Sequence, residues 1–569
     1  MREDSDFQFI TPRQTVEIHL SDGRVISGER GKPIGEFLEI LENTVPIVGA
    51  IVNNQLRELT HPVDIESVVE PITMEDADGM RIYRRSLTFL IEYAFSQMFP
   101  NAFLTVDHSV TSGGFFCQVF DRPPLSESEL IQLEKQMHFL VEKDIPFIRQ
   151  EVPLEEAIEY FNARGYKDKV QLLRHRKKSH LVLYSMGDHR DYHHGYMVPS
   201  TGYLRWFKLT PTGDGFTMRF PRRHKPLEIL PLPEYQALLD TFRQYGDWLA
   251  RLGIDNVGSL NDAIVEGRIR EIIMVSEALH EQRIAEIAGT VTDRPQQVRI
   301  ILISGPSSSG KTTFSKRLSI QLLARGISPY PMEMDNYFID REFTPLDENG
   351  EFDFESIKAV NTKRLGEDLQ RLIAGERVQI PHYNFVNGKS EEGETIQLLP
   401  GQIIILEGIH GLNPDLTPTI PREQIFRIYT SALTQLNLDR YNRVSTTDTR
   451  LIRRIVRDAR ERGYTAKDTI SRWESVRRGE KRYIFPYQDN ADVMFNSALV
   501  YEVAALKPLA EPLLRQVPFG TPEHIEAKRL LTFLEWFLPV DQSLIPDNSI
   551  LKEFVGNSPL SQFKIWKHR

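Results

Sequence analysis

Residues 298–313 read VRIILISGPSSSGKTT, and this stretch decides the fold of the C-terminal half of the chain. Residues 298–304 form an apolar run typical of a buried strand. Residues 305–313 match the pattern G-x-x-x-x-G-K-[ST] in its required place, after a strand pattern and before a helix pattern. Strand and helix patterns then alternate to about residue 515, which predicts an α/β domain with a parallel sheet flanked by helices.

The chemistry of this loop explains its residue types. Glycines let backbone N–H groups turn toward a phosphate, the Lys311 ammonium reaches the β and γ oxygens of a nucleotide, and the Thr312 hydroxyl can ligate Mg²⁺. We therefore predict that the loop binds ATP or GTP together with Mg²⁺. The predicted nucleotide-binding residues are Gly305, Pro306, Ser307, Ser308, Ser309, Gly310, Lys311, Thr312 and Thr313.

Two acidic residues end strands that are predicted to lie beside the loop. Asp335 follows a strand pattern at residues 328–334, and we predict that it accepts the proton of a substrate hydroxyl. Glu407 follows the strand pattern of residues 402–406 and can hold Mg²⁺ directly or through water. Either residue could instead be a turn or a helix cap. The guanine-reading motif Asn-Lys-x-Asp is absent from the sequence, which favours a kinase over a GTPase switch.

The segment of residues 450–482 is strongly basic, with twelve Lys or Arg and five Asp or Glu, a net charge of +7. Four arginines recur in it at the spacing of one helix face: Arg450, Arg453, Arg454 and Arg457. Such a stripe suits a lid that closes over phosphates, and we predict catalytic roles for Arg454 and Arg457 beside Lys311. A solvated helix face and an RNA-binding patch are the alternatives.

The composition of the 569 residues is ordinary for a globular protein, with 40% hydrophobic and 26% charged residues and a net charge of −10. At ~100–200 residues per domain, this length predicts three or four domains. The single cysteine, Cys117, excludes an internal disulfide or a thiolate metal cluster. The first six residues lack a signal-peptide pattern and no apolar run approaches the ~20 residues that cross a bilayer, so a cytoplasmic protein without a membrane partner is expected.

Pattern shifts along the chain predict a multidomain protein of mixed α/β and α+β class. The segments are an N-terminal tail (1–13), a small β-grasp domain (14–75), an α+β domain (76–235), a helical connector (236–295), the α/β domain with the phosphate loop (296–520) and a C-terminal tail (521–569). Neither tail receives a role from its sequence.

From about residue 298 to residue 518 the chain resembles the uridine kinase and phosphoribulokinase family, because a set of motifs occurs in the family's order. These motifs are residues 305–313, 334–338, 352–354, 381–385, 406–409, 448–458, 461–463 and 490–493. The resemblance implies ATP-dependent phosphoryl transfer to the 5′-hydroxyl of a nucleoside, with Asp335 as the base and Glu407 on the metal side. It further implies that the substrate contacts Asp353, Tyr383, Arg454 and Arg462.

Three positions depart from the uridine kinase pattern. Gly388 stands where the family has a base-contacting histidine, Tyr464 replaces an arginine, and Arg472 replaces a nucleoside-contacting glutamine. A sugar or sugar-phosphate kinase of the phosphoribulokinase branch is therefore an alternative to a uridine or cytidine kinase. A third option is an RNA-associated regulatory protein, with RNA bound by the N-terminal domains and ATP acting as a switch. Formation of a homo-oligomer is also open.

The N-terminal domains resemble parts of a different family. Residues 14–75 are similar to the TGS domain at the front of threonyl-tRNA synthetases, RelA/SpoT-type enzymes and some GTPases, and residues 76–235 to the second domain of threonyl-tRNA synthetase, which carries its editing site. The patterns that support this are residues 16–20, 21–23 and 47–53 in the first domain and 85–94, 112–116 and 155–161 in the second.

The synthetase editing site uses His-x-x-x-His and a later Cys-x-x-x-His, and the matching residues here are Phe89, Tyr93, His193 and Met197. Two aromatic residues and a methionine lack the polar groups of that site, so we predict that this domain does not edit tRNA. A neighbouring cluster has two interpretations, a metal site or surface histidines on a loop rich in glycine and tyrosine. Its members are His189, Asp191, His193 and His194.

Overall fold

The computed structural model describes residues 11, 13–110, 113–231, 236–294, 297–346, 350, 352–384, 386–434 and 436–563. Residues 112 and 385 of the motifs above, and most of the N-terminal tail, lie outside this part of the chain. The described residues form two compact units. The first unit holds the chain up to residue 231 together with residues 439–443 and 518–533, and the second holds residues 236–438, 444–517 and 534–563.

The first unit begins with a mixed sheet and one short helix. The elements are β1 (Thr15–Leu20), β2 (Val25–Glu29), α1 (Ile34–Leu38), β3 (Ile47–Val52), β4 (Gln55–Arg57) and β5 (Ser67–Thr73). The strand order is β2-β1-β5-β3-β4, with β1 and β5 parallel. Apolar residues alternate along β1, so Val16, Ile18 and Leu20 face a core that contains Phe37 of α1. The predicted β-grasp class is confirmed.

The rest of the first unit is an α+β fold. Its elements are α2 (Ala77–Met98), β6 (Phe103–Val110), β7 (Gly114–Phe120), α3 (Glu127–Glu142), β8 (Ile148–Pro153), α4 (Leu154–Ala163), α5 (Lys167–Arg174), β9 (His180–Met186), β10 (His189–Asp191), β11 (Lys208–Thr212) and β12 (Gly215–Arg219). The strands form two antiparallel sheets, β11-β12-β7-β6 and β10-β9-β8. Most residues of helix α2 are buried, and Leu87, Phe89 and Leu90 are fully buried in the core.

The second unit is built around a parallel sheet. Its elements are α6 (Gln236–Leu252), α7 (Val257–Val265), α8 (Ile269–Thr292), β13 (Ile300–Ser304), α9 (Lys311–Ala324), β14 (Pro329–Glu333), α10 (Thr362–Ile373), β15 (Val378–Asn384), β16 (Lys389–Ile396), β17 (Ile403–Glu407), β18 (Ile425–Ser431), α11 (Thr446–Glu461), α12 (Ala466–Tyr483), β19 (Val493–Asn496), α13 (Glu502–Arg515), α14 (Pro522–Leu534) and α15 (Lys552–Val555). The residues of α14 up to 533 belong to the first unit.

The sheet order is β14-β17-β13-β18-β19, and all neighbours are parallel. Strand β13 is buried along its whole length, as expected of an isoleucine and leucine run in a parallel sheet covered on both faces. Because the strands are parallel, the loops that follow β13 and β14 lie at the same edge of the sheet. Ligands of such folds bind at this edge. Strands β15 and β16 form a separate antiparallel hairpin.

The helices predicted as a connector belong to the second unit. Leu238 and Phe242 of α6 pack in one cluster with Tyr429 and Met494 of the parallel sheet. The predicted C-terminal tail also contains structure, since the helix expected at residues 527–537 is found at Pro522–Leu534 and α15 follows it. Among the described residues, no helix combines the length and apolar character needed to span a bilayer.

Candidate active site

The loop between β13 and α9 has the backbone shape that a phosphate site requires. A Cβ atom on Gly305 would lie 1.9 Å from the carbonyl oxygen of Thr430, so glycine is required there. Gly310 has a φ of +83° and Ser308 a φ of 58°, and this left-handed backbone turns N–H groups inward. The loop ends at the N-terminus of α9, which begins at Lys311. The helix terminus adds free N–H groups and the positive end of its dipole.

Lys311 and Thr312 connect the loop to the neighbouring strand. The Lys311 ammonium donates to the backbone oxygens of Gly305 at 2.9 Å and Pro306 at 3.1 Å. The Thr312 hydroxyl donates to Oε1 of Glu407, at the end of β17, over 2.8 Å. Burial raises the pKa of Glu407 to about 7, although Lys311 and Thr312 favour its ionised form. A hydroxyl and a carboxylate held together are oxygen ligands of the kind that Mg²⁺ prefers.

Asp335 lies just beyond the end of β14, the strand next to β17. Because these strands are parallel, the residues that follow β13, β14 and β17 share one edge of the sheet. Burial raises the pKa of Asp335, Glu333 raises it further, and Lys311 opposes both effects. The structure thus brings three of the predicted residues to one place: Lys311, Asp335 and Glu407.

The four arginines of the predicted stripe lie on α11 but have two different environments. Arg450 and Arg453 are only 1% and 0% exposed. Arg450 is ion-paired with Glu480, and Arg453 with Glu502. Their guanidinium groups also donate to backbone oxygens of the phosphate loop. The lid interpretation is therefore wrong for these two arginines, which support the loop from the core.

Arg454 and Arg457 are partly buried and converge with Arg462 on one carboxylate. Asp458 lies 3.2 Å from Arg454, 3.2 Å from Arg457 and 3.3 Å from Arg462. Arg454 also donates to the hydroxyl of Ser307 at 2.7 Å, which brings it against the phosphate loop. The catalytic and substrate-binding roles of these three arginines stay predictions.

Asp353 and Tyr383, both predicted to contact the acceptor, have different surroundings. The Tyr483 hydroxyl donates to Oδ2 of Asp353 at 2.6 Å. The His410 ring lies 6.0 Å from the Tyr483 ring. Burial lowers the pKa of His410 to about 4, although the charge of Asp353 opposes this shift. Tyr383 is buried, with its ring edge-on to Phe338 at 5.5 Å. Asp353 thus belongs to a polar group that includes a histidine not identified from the sequence.

The three departures from the uridine kinase pattern fall in two places. Gly388 has a φ of +72° in the turn between β15 and β16, and a Cβ atom there would lie 2.8 Å from the Arg341 guanidinium. Tyr464 and Arg472 are exposed, and the Arg472 guanidinium lies 4.4 Å from the centre of the Tyr464 ring. Arg341 therefore lies close beside Gly388, while the other two departures contact each other at the surface.

Three carboxylates beside the loop were not identified from the sequence. Oε1 of Glu480 accepts from the N–H of Ser307 at 3.0 Å, and Oε2 of Glu553 accepts from the N–H of Thr313 at 3.0 Å. Burial and the nearby Glu480 raise the pKa of Glu355 to about 7. No local pattern marks these residues, since Glu480 is one of three acidic residues in its helix.

In the first unit, three of the four residues that match the synthetase editing positions are buried, and Tyr93 is half-buried against the core. Phe89 and Met197 are buried, and Phe89 meets the ring of His193 edge-on at 5.6 Å. Tyr93 stacks on His189 with ring centres 5.9 Å apart. His189 and His193 are 6% and 7% exposed, so the interpretation as surface histidines is wrong for both.

Known proteins match the two parts of the chain separately. Residues 300–504 match the model of the Phosphoribulokinase / Uridine kinase family. The N-terminal region is similar to threonine–tRNA ligases. That of Burkholderia lata is 32% identical over 204 residues, 35% of this chain and 32% of the ligase. That of Polaromonas naphthalenivorans is 33% identical over 170 residues, 30% of this chain and 27% of the ligase. The chain thus spans about a third or less of the length of these relatives.

Two solved structures are similar to parts of this chain at low identity. A possible uridine kinase from Bacillus stearothermophilus is 20% identical, over 38% of this chain and 98% of that chain, with a TM-score of 0.26. D-glycerate 3-kinase from Cryptococcus neoformans var. grubii is 14% identical, over 46% of this chain and 89% of that chain, with a TM-score of 0.22. The match of residues 300–504 to the Phosphoribulokinase / Uridine kinase model agrees with the resemblance that the order of motifs predicts.

Proposed function

We propose that the second unit is an ATP-dependent kinase that transfers the γ-phosphate to the 5′-hydroxyl of a uridine- or cytidine-like nucleoside. The observation that carries this proposal is the position of Asp335 at the same sheet edge as Lys311 and the Thr312–Glu407 pair. A nucleotide switch needs a phosphate loop and metal-side oxygens, but it does not need a carboxylate that accepts a hydroxyl proton.

The residues of the loop fit a nucleotide with Mg²⁺. Its left-handed backbone at Ser308 and Gly310 turns N–H groups inward, and the buried hydroxyls of Ser308 and Ser309 have no hydrogen-bond partner among the described residues. Lys311 would hold the phosphates, and Thr312 and Glu407 would hold the metal ion. When bound, ATP supplies the transferred phosphoryl group and Mg²⁺ neutralises charge on the β and γ phosphates.

The remaining side chains have tasks that follow from their positions. Asp335 orients the acceptor hydroxyl and takes its proton as the oxygen attacks phosphorus. Arg454 reaches the loop through Ser307 and, with Arg457, offsets the negative charge of the transferring group. Both arginines share Asp458, which holds their guanidinium groups in place before substrate binds.

The proposed acceptor-binding residues are Asp353, Tyr383 and Arg462. Asp353 accepts a hydrogen bond from Tyr483, whose ring lies beside that of His410, so this group offers a carboxylate and a ring to sugar hydroxyls. A nucleoside places its ribose hydroxyls and its base at once, which suits a site with both polar and aromatic side chains.

One observation favours a second acceptor, a sugar or sugar phosphate. The Arg341 guanidinium lies beside Gly388, where uridine kinases have a base-contacting histidine. Because a guanidinium binds phosphate oxygens in a bidentate geometry, this position would suit a phosphorylated acceptor better than an uncharged base.

The test is acceptor-dependent formation of ADP from ATP and Mg²⁺ by the purified full chain. The panel is uridine, cytidine, adenosine, guanosine, thymidine and ribulose 5-phosphate, each against ATP alone. We expect turnover with uridine or cytidine, and the phosphorylated product identified by mass spectrometry. Turnover with ribulose 5-phosphate alone would establish the second candidate instead. ATP binding without turnover for any acceptor would contradict a kinase of these substrates and would direct attention to RNA binding by the N-terminal region.

A further inference from the structure

The first unit contains a buried group of carboxylates and imidazoles that the proposed kinase reaction does not use. Glu92 of α2, His189 and Asp191 of β10, and His193 just after β10 are all buried. Nε2 of His189 lies 3.5 Å from Oε2 of Glu92, and Nε2 of His193 lies 3.2 Å from Oε1 of Glu92. One side-chain oxygen or nitrogen of each of Glu92, His189 and Asp191 lies within 4.8 Å of the others.

One buried oxygen of this group, Oδ2 of Asp191, has no hydrogen-bond partner among the described residues and almost no contact with solvent. Oε1 of Glu92 and Nε2 of His193 face each other at 3.2 Å but do not have the geometry of a hydrogen bond. The other oxygen of Asp191 accepts from the backbone N–H of Tyr192 and faces Lys169, so Oδ2 is the one left over. A buried carboxylate oxygen without a partner, in a group whose other ligand atoms lie within 4.8 Å of one another, indicates a missing ligand.

The charges of the group are also unbalanced. Lys169 is fully buried and lies 2.9 Å from Asp191 and 3.3 Å from Asp439. With Glu92, three carboxylates share this one ammonium, which leaves two negative charges when the imidazoles are neutral. A divalent cation supplies the two missing positive charges.

We propose that Glu92, His189 and Asp191, with His193 beside them, form a binding site for a divalent transition-metal ion of the zinc class. Imidazole nitrogen together with carboxylate oxygen is a ligand set used for Zn²⁺ and for related first-row ions. The imidazoles are oriented by aromatic neighbours, since Phe89 packs against both rings and Tyr93 stacks on that of His189. Such packing holds the ligands in place before the metal binds.

The proposed metal ligands differ from the residues at the synthetase editing positions. Of the four positions that match the synthetase editing site, only His193 belongs to the proposed ligand group, and Phe89 and Tyr93 act as its packing. The proposal does not depend on the kinase function, because the group belongs to the first unit. Its rival is a hydrogen-bonded histidine–glutamate–histidine group without metal.

The experiment measures metal in the full chain expressed without a polyhistidine tag. Elemental mass spectrometry should find about one equivalent of a first-row metal per chain in the purified protein. The same amount of Zn²⁺ should be found after chelator-treated protein is loaded with Zn²⁺ and passed through gel filtration. Competition with a chromophoric chelator should show Zn²⁺ bound about 100-fold or more weakly by Glu92→Gln and by His189→Asn. The matched control is His180→Asn, an exposed histidine on β9, which should bind like the wild type.

A second measurement keeps the test valid if these variants do not fold. Wild-type protein loaded with Co²⁺ should show the visible absorption bands of a protein-ligated ion, and addition of Zn²⁺ should remove them. Zn²⁺ should also raise the melting temperature of chelator-treated wild type, because it binds the folded state. Less than a tenth of an equivalent of bound metal, or no Co²⁺ bands, would overturn the proposal in favour of the metal-free rival. Equal Zn²⁺ affinity in folded Glu92→Gln and wild type would also overturn it.

Discussion

Two lysines, one in each unit, show how differently the two buried polar sites are built. Lys311 donates to two backbone oxygens of its own loop, five and six residues away. Lys169 lies between Asp191 and Asp439, and the second of these is far along the chain. The first lysine belongs to a site made by local backbone shape, and the second neutralises side chains that the fold has buried. We therefore expect Lys311 to matter for function and Lys169 for stability.

The largest effect should come from Asp335. Replacing it by Asn removes the proposed base while keeping the size of the side chain, and loss of a general base typically reduces the rate by about 10²–10⁴-fold. The measurement is kcat for the acceptor that the panel identifies. Asp415→Asn, an exposed aspartate in the same unit, is the matched control and should keep full activity. A fully active Asp335→Asn variant would show that Asp335 is not the general base.

Replacing each lysine by methionine tests this contrast between Lys169 and Lys311. Lys169→Met leaves Asp191 and Asp439 buried without a countercharge, which should lower the free energy of unfolding by about 3–5 kcal/mol. Burial alone would lower the pKa of Lys169, but Asp191, Asp439 and Glu92 outweigh it and raise the pKa, so the charged form is the one removed.

Lys311→Met should instead abolish ATP turnover with little change in stability, because it loses only bonds to two carbonyl oxygens. For Lys311, burial lowers the pKa although Glu407 and Glu553 oppose it, so its charge is less firmly held. Urea unfolding measures the stability of both variants, and ATP binding measures their function. If Lys311→Met were the less stable of the two, the proposed contrast would be wrong.

A smaller effect is expected at Glu553. Its carboxylate occupies the N–H of Thr313 at the start of α9, where a nucleotide phosphate would also bind. Removing one competing charge at a helix terminus is worth ~0.3–1 kcal/mol, so Glu553→Ala should tighten ATP binding about two- to fivefold. Isothermal titration of ATP measures this, with exposed Glu376→Ala as the control. Weaker ATP binding by Glu553→Ala would mean that this carboxylate assists the nucleotide.

The smallest effect concerns pH. The pKa of Asp335 is raised by burial and by Glu333 and lowered by Lys311, and only the ionised carboxylate accepts a proton. Activity should therefore fall on acidification at a higher pH than an ordinary aspartate would cause. Glu333→Gln removes one of the raising charges and should move this acid limb of kcat/KM to lower pH. An unchanged limb in Glu333→Gln would assign it to another group.

The phosphate loop could be predicted from sequence because its conformation depends on local residue types. Gly305 and Gly310 stand where a Cβ atom would clash or the backbone turns left-handed, and these needs show directly in the pattern. The positions of Asp335 and Glu407 followed from strand ends in a parallel sheet. The family match over residues 300–504 agrees with the predicted phosphate loop and strand ends.

The arginine stripe shows where such reasoning fails. Helical spacing correctly placed four arginines on α11, but it could not tell which of them the fold buries. Arg450 and Arg453 find Glu480 and Glu502 on other helices, and those partners remove them from any lid. Spacing fixes the direction of a side chain on its helix, whereas burial depends on what packs against that direction.

The sequence by itself determined the phosphate loop, the alternation of strands and helices around it and the short strands of the first N-terminal domain, because these follow from local conformational preference and from apolar periodicity. The class of the second N-terminal domain followed from its resemblance to threonyl-tRNA synthetase. Only the tertiary structure decided which charges are paired. Glu553 meets Thr313 across 240 residues, and Lys169 meets Asp439 from another part of the chain. Partners so far apart share no local pattern, and a buried charge is tolerated only where the fold brings its counterpart.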